Sequence, residues 1–101
     1  MYDPTAPPAV PVTLVHSAAC HFCDDARSAL EAIARDFALK VTEIDLESAD
    51  GAALVTLHRP AMNPLVLVDG EYFSAGRLPR RKLVKLLGQR GAALATPTGS
   101  R

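Results

Sequence analysis

The chain has 101 residues, 49% of them hydrophobic, with 11 basic and 11 acidic side chains that cancel to a formal net charge of zero, the profile of one small globular domain. With no net positive charge to neutralise phosphates, composition gives no general reason to expect nucleic-acid binding or adhesion to an anionic membrane, so any binding must come from a local site. Two cysteines make one bridge at most, too few for the disulfide frameworks of small secreted domains, which favours a catalytic or metal-binding role in the cytosol.

Residues 1–11 carry Asp3 and the prolines Pro4, Pro7, Pro8 and Pro11 and read as an extended, disordered leader. They lack the basic start and apolar stretch of a secretory signal, and no apolar run approaches the roughly 18 residues a membrane span requires. The expectation is a cytoplasmic protein with no membrane partner. Val12-Thr13-Leu14-Val15 is β-branched and apolar and gives way to His16 and Ser17, as a short buried strand does. From Phe22 onward, Ala26, Ala29, Leu30, Ile33, Ala34 and Phe37 recur at helical steps, with Arg27, Glu31 and Arg35 at four-residue spacing opposite them, which predicts an amphipathic helix. Residues 40–46 alternate polar and apolar as a strand with one buried face. Strand, helix and strand form a right-handed parallel crossover with the helix on one face of the sheet.

Leu54, Val55 and Leu57 mark a shorter helix, stopped at Arg59-Pro60 because a residue before proline avoids the helical region. Residues 60–64 form a loop. The apolar run Leu65-Val66-Leu67-Val68, the pair Asp69-Gly70 and the run Glu71-Tyr72-Phe73-Ser74 match a hairpin closed by a two-residue turn, its first strand apolar enough to be central. Leu83, Val84, Leu86 and Leu87 mark a last helix ending at Gly88. The predicted order is β-α-β-α-β-β-α, an α/β domain over residues 12–88, followed by a flexible tail over residues 89–101.

Cys20-His21-Phe22-Cys23 falls at the junction of the first strand and first helix. A thiolate there faces unsatisfied backbone N–H groups and the positive end of the helix dipole, which favour the nucleophilic form. Cys20 is the predicted attacking thiol; Cys23, about one turn on, is placed to resolve a mixed disulfide at Cys20. His21 either favours the thiolate or relays a proton, or is an exposed spacer. Asp24 and Asp25, as negative charges, oppose thiolate formation. Two alternatives stand beside the redox reading. One is a zinc or softer-metal site in which two of His16, His21 and His58 join the thiolates, although no second C-x-x-C or closely spaced histidine pair is present. The other is a non-catalytic binding module with inert thiols.

These residues resemble the thioredoxin superfamily, most closely the small bacterial glutaredoxin-like proteins with a C-H-x-C active site. The resemblance spans residues 12–87. It rests on the strand before Cys20-His21-Phe22-Cys23-Asp24, on Pro64 before an apolar strand, on the Asp69-Gly70 turn, and on Ser74-Ala75-Gly76-Arg77-Leu78 before the final helix. It implies a glutaredoxin-type thioredoxin-like fold, a four-stranded mixed sheet flanked by three helices, with Pro64 cis and facing the cysteines. It also implies that the backbone of Asn63 pairs with an extended substrate, and that His21, Phe22, Asn63, Pro64 and Gly76 line the substrate site. Family members that bind glutathione carry a lysine where this chain has Ser17, and a Gly-Gly pair followed shortly by aspartate near the place of Ser74-Ala75-Gly76-Arg77. Arg59 has a fork that suits a carboxylate or is a solvated surface arginine. The resemblance therefore implies a monomeric oxidoreductase without a tightly bound cofactor, acting on protein or low-molecular-weight disulfides. Its electrons come from an external thiol or a flavoprotein reductase, glutathione being left open as donor. Arg77, Arg80, Arg81, Lys82 and Lys85 gather around the last helix and either steer an anionic partner or form a solvated face that Glu43, Asp45 or Glu47 partly neutralises.

Overall fold

A computed structural model describes residues 9–94; most of the expected leader and tail, residues 1–8 and 95–101, lies outside them. The elements run β1 (Val10–His16), α1 (His21–Ile33), β2 (Leu39–Asp45), α2 (Ala49–His58), β3 (Leu65–Val68), β4 (Glu71–Ala75) and α3 (Arg80–Gln89), in the predicted order. The strands form one mixed sheet, β2-β1-β3-β4. β1 and β2 are parallel, as an intervening helix requires, while β3 runs antiparallel to β1 and β4 antiparallel to β3. At the turn between β3 and β4, Asp69 and Gly70 have φ of 54° and 78°, the left-handed conformation that matches strand twist in a two-residue hairpin.

Alternation along β1 divides the core in two. Val10, Val12 and Leu14 meet Val66 and Val68 of β3, the apolar stripe of α1 from Ala26 to Ile33, and Leu83 and Leu87 of α3. Val15 joins Leu65 and Leu67 on the opposite face, against Ile44, Leu46 and Leu54 of α2. All four residues of β3 are buried as a result, which is why that strand is an unbroken apolar run.

The structure corrects the expected boundaries in four places. β1 begins at Val10 and includes Pro11; the Pro11 carbonyl accepts from Asp69 N–H at 2.9 Å, beyond the end of β3, where the missing proline donor interrupts no ladder. α1 stops at Ile33 with Ala34 as C-cap. Phe37 is reached by a turn in which its N–H bonds Ile33 O, forms an isolated bridge with Ala93 and packs on the core from there. β2 is an edge strand without one buried face: Val41 lies opposite Val12 and Ile44 opposite Val15, on different sides of the sheet, and Val41 is 38% exposed. α3 passes through Gly88 and ends at Gln89, with Arg90 as C-cap and Gly91 just beyond it at φ of 69°. Gly91 N–H bonds Gly88 O and Ala92 N–H bonds Leu87 O, the double closure of a Schellman motif. The packed unit thus extends past residues 12–88 on both sides. Among the described residues no helix is long and apolar enough to cross a membrane.

Candidate active site

β1 delivers the chain to the first turn of α1 through a tight bend in which Ala19 takes a positive φ of 53°. Cys20 is the N-cap, with extended backbone, and its Sγ accepts Cys23 N–H at 3.1 Å. The sulfur occupies the place a serine or aspartate oxygen takes at other helix starts, where free donors and the dipole favour negative charge. Cys20 is half-buried, whereas Cys23 is 1% exposed. The two are joined in a disulfide with Cα atoms 5.1 Å apart, a separation natural to such a bond. The pair thus has one half-buried cysteine at the helix start and one buried cysteine a turn further on.

His21 and Phe22 are exposed on the first turn, Phe22 at 39%. The two acids next to the thiols do not stand alone. Asp24 pairs with Arg27 at 3.0 Å, and Arg27 also donates to Glu43 at 3.0 Å. That hydrogen bond to Glu43, ahead of the contribution of Asp24, holds the Arg27 pKa above its ordinary value. Asp25 Oδ1 accepts from Arg80 of α3 at 2.7 Å, while its Oδ2 is buried without a partner among the described residues. Each carboxylate therefore has a cation that offsets its repulsion of a thiolate.

The peptide bond from Asn63 to Pro64 is cis, as the family resemblance implied. Pro64 is fully buried and Asn63 half-buried. Pairing of Val15 with Leu65 sets Pro64 at the end of the sheet where β1 leads into Cys20. Gly76 comes to the same end, its N–H donating to Pro64 O at 2.9 Å. Its φ of 87° and the approach of Met62 Sδ to 3.3 Å from an ideal Cβ explain why glycine stands there. Arg59 is the left-handed C-cap of α2, its N–H bonding Val55 O. Its exposed side chain makes no ion pair among the described residues.

The histidines are dispersed. His16 lies 3.9 Å from Glu43, and His58 stands beside Tyr72 with ring centroids 6.4 Å apart and Nε2 buried without a partner among the described residues. No group of three or more His, Cys, Asp or Glu side chains placed to hold a metal ion occurs among the described residues. The set of two thiolates and two histidines therefore has no counterpart in this arrangement.

The sequence does not reveal the Asp25–Arg80 pair, which joins residues 55 positions apart, nor the seat of Met62 over Gly76. It also assigns the wrong acids to the basic helix. Glu43 turns to Arg27 and His16, and Asp45 accepts from Glu47 N–H at 2.8 Å; Asp25 and Asp69 pair with Arg80 and Arg90 instead. No family model matches the chain, and no curated protein matches it either.

Proposed function

We propose that the chain has a glutaredoxin-type thioredoxin-like fold and works as a cytoplasmic thiol–disulfide oxidoreductase. The observation that carries this reading is the asymmetry at the start of α1, a half-buried N-cap cysteine next to a fully buried one within bonding reach. In the reduced protein the Cys20 thiolate attacks a substrate disulfide. The substrate S–S bond breaks, a mixed disulfide forms at Cys20, and the first substrate sulfur leaves as a thiolate that takes a proton from solvent. Cys23 then gives up its proton and attacks the Cys20 sulfur, releasing the second substrate thiolate and closing the Cys20–Cys23 bridge. Two electrons have passed to the substrate, and an external thiol or flavoprotein reductase restores them.

In this reading His21 relays protons at the exposed sulfur. Phe22, Asn63, Pro64 and Gly76 form the surface on which a protein or low-molecular-weight disulfide lies, with Arg59 at its margin, and the chain acts as a monomer. The test is equilibration in graded thiol buffers, with alkylated cysteines counted by mass. A reversible two-electron couple between roughly −180 and −280 mV is expected, together with loss of turnover in Cys20→Ser and a trapped mixed disulfide in Cys23→Ser. A pair that forms no bridge across that range, or equal activity in both variants, overturns the proposal and leaves an inert binding module as the alternative.

A further inference from the structure

We infer that the groove between β4 and α3 is a docking site for an acidic, extended peptide segment of a partner protein. The groove is open, about 390 Å³ in volume, and lined by Tyr72, Phe73, Lys82, Lys85, Leu86 and Gln89. One wall is β4, the outermost strand of the sheet, and among the described residues no strand takes up its outer edge. The other wall is a face of α3 on which Lys82, Lys85, Leu86 and Gln89 recur at helical spacing.

Charge decides what kind of segment fits. The whole chain is neutral, yet α3 carries no acidic residue in its first turn, and Arg77, Arg81, Lys82 and Lys85 make no ion pair among the described residues. Arg77, Arg81 and Lys82 also line a second concavity at the start of α3, so Lys82 joins the two into one basic track. Its ammonium stands 5.1 Å over the Phe73 ring, within cation–π range, which holds the charge at the groove rather than leaving it to sweep through solvent. Tyr72, 52% exposed, adds an aromatic face at the rim.

A strand edge supplies backbone hydrogen bonds, alternate side chains fill an apolar floor, and cations flank both: this is the set of contacts that strand addition by a peptide uses. Nucleic acid fits less well, because Tyr72 alone is an exposed ring there and stacking platforms need several. The inference stands apart from the thiol chemistry and does not require it.

The experiment uses the full chain and a labelled ten-residue peptide alternating glutamate with valine and ending in phenylalanine, followed by fluorescence anisotropy and by amide chemical-shift mapping. Binding is expected to perturb residues 71–75 and 80–89 and to weaken at least tenfold from low to 0.5 M salt. It should also weaken at least tenfold in Lys82→Glu/Lys85→Glu, checked for an unchanged circular dichroism spectrum, and to a lesser extent in Arg81→Gln, which leaves the Phe73 contact in place. Three results overturn the inference: no saturable binding, shifts confined to the Cys20 end of the sheet, or equal affinity for a single-stranded oligonucleotide or anionic vesicles, which would make the track a general polyanion surface.

Discussion

Cys20 carries two roles that substitution can separate. As N-cap it accepts Cys23 N–H, and a serine oxygen satisfies that donor as well as the sulfur does, whereas alanine leaves it open at a cost of about 1 kcal/mol. Under reducing conditions, where no bridge contributes to either state, Cys20→Ser is expected to melt close to the parent chain. Cys20→Ala should melt about 4–8 °C lower, and both should lack turnover. Scanning calorimetry reads this directly, and equal melting of the two variants would show that the sulfur does not cap. A second residue-scale test concerns packing. An ideal Cβ at Gly51 falls 2.1 Å from Asp45 O, a backbone atom that no side-chain rotation can move. Gly51→Ala therefore has to shift α2 off the end of β2, and urea unfolding is expected to show a loss of about 1–3 kcal/mol, the range typical of overpacked cores. An unchanged midpoint would mean that the α2 start gives way freely.

Elements were legible in the sequence where a local pattern was also the tertiary one. The β3 run of four apolar residues announced a strand buried on both faces, and Asp69-Gly70 announced its turn, because those signals depend on neighbours along the chain. The start of α1 was legible for the same reason, and with it the position of the cysteines. Ends decided by distant packing were not. Phe37 continues the helical spacing of α1, yet it sits where Ala93 meets it; Arg80 gives no sign of Asp25. The two glycines near the end of α3 show the difference most plainly. Either one is a credible stop, but Gly88 lies inside the helix with nothing within 4 Å of an ideal Cβ, while Gly91 has φ of +69°. Replacing each by alanine should have opposite effects. Gly88→Ala removes backbone freedom from the unfolded chain and is expected to stabilise by about 0.5–1 kcal/mol, whereas Gly91→Ala forces a left-handed alanine and is expected to cost about 1–2 kcal/mol. Paired urea titrations check the signs, and a destabilising Gly88→Ala would place the stop where the sequence first suggested it.

At the scale of the molecule, the residues after α3 decide where the folded unit ends. The sequence shows small residues and no apolar periodicity there, so it reads as tail. In the structure Ala92 is 1% exposed and its carbonyl accepts Ala38 N–H at 2.8 Å, while Leu94 N–H bonds Asp36 O at 2.8 Å. Arg90 pairs with Asp69 at the hairpin turn. One short segment thus ties the end of α3 to the α1–β2 connection and to the tip of β3–β4, three parts of the chain that no helix bridges. Each backbone hydrogen bond contributes about 1 kcal/mol net and an exposed ion pair up to about 1 kcal/mol, so a chain stopped at Gly88 is expected to lose about 2–4 kcal/mol relative to one stopped at Leu94. For a domain of this size that lowers the melting temperature by about 10 °C or more. The loss should fall first on Phe37 and Leu39, which pack on the core beside this segment, and hydrogen exchange at Ala38 should quicken in the shorter chain before exchange in β3 does. If the two chains melt within about 3 °C of each other, the closing segment is an ornament on the fold; a large difference makes it the strap that holds α1 and the hairpin to one core.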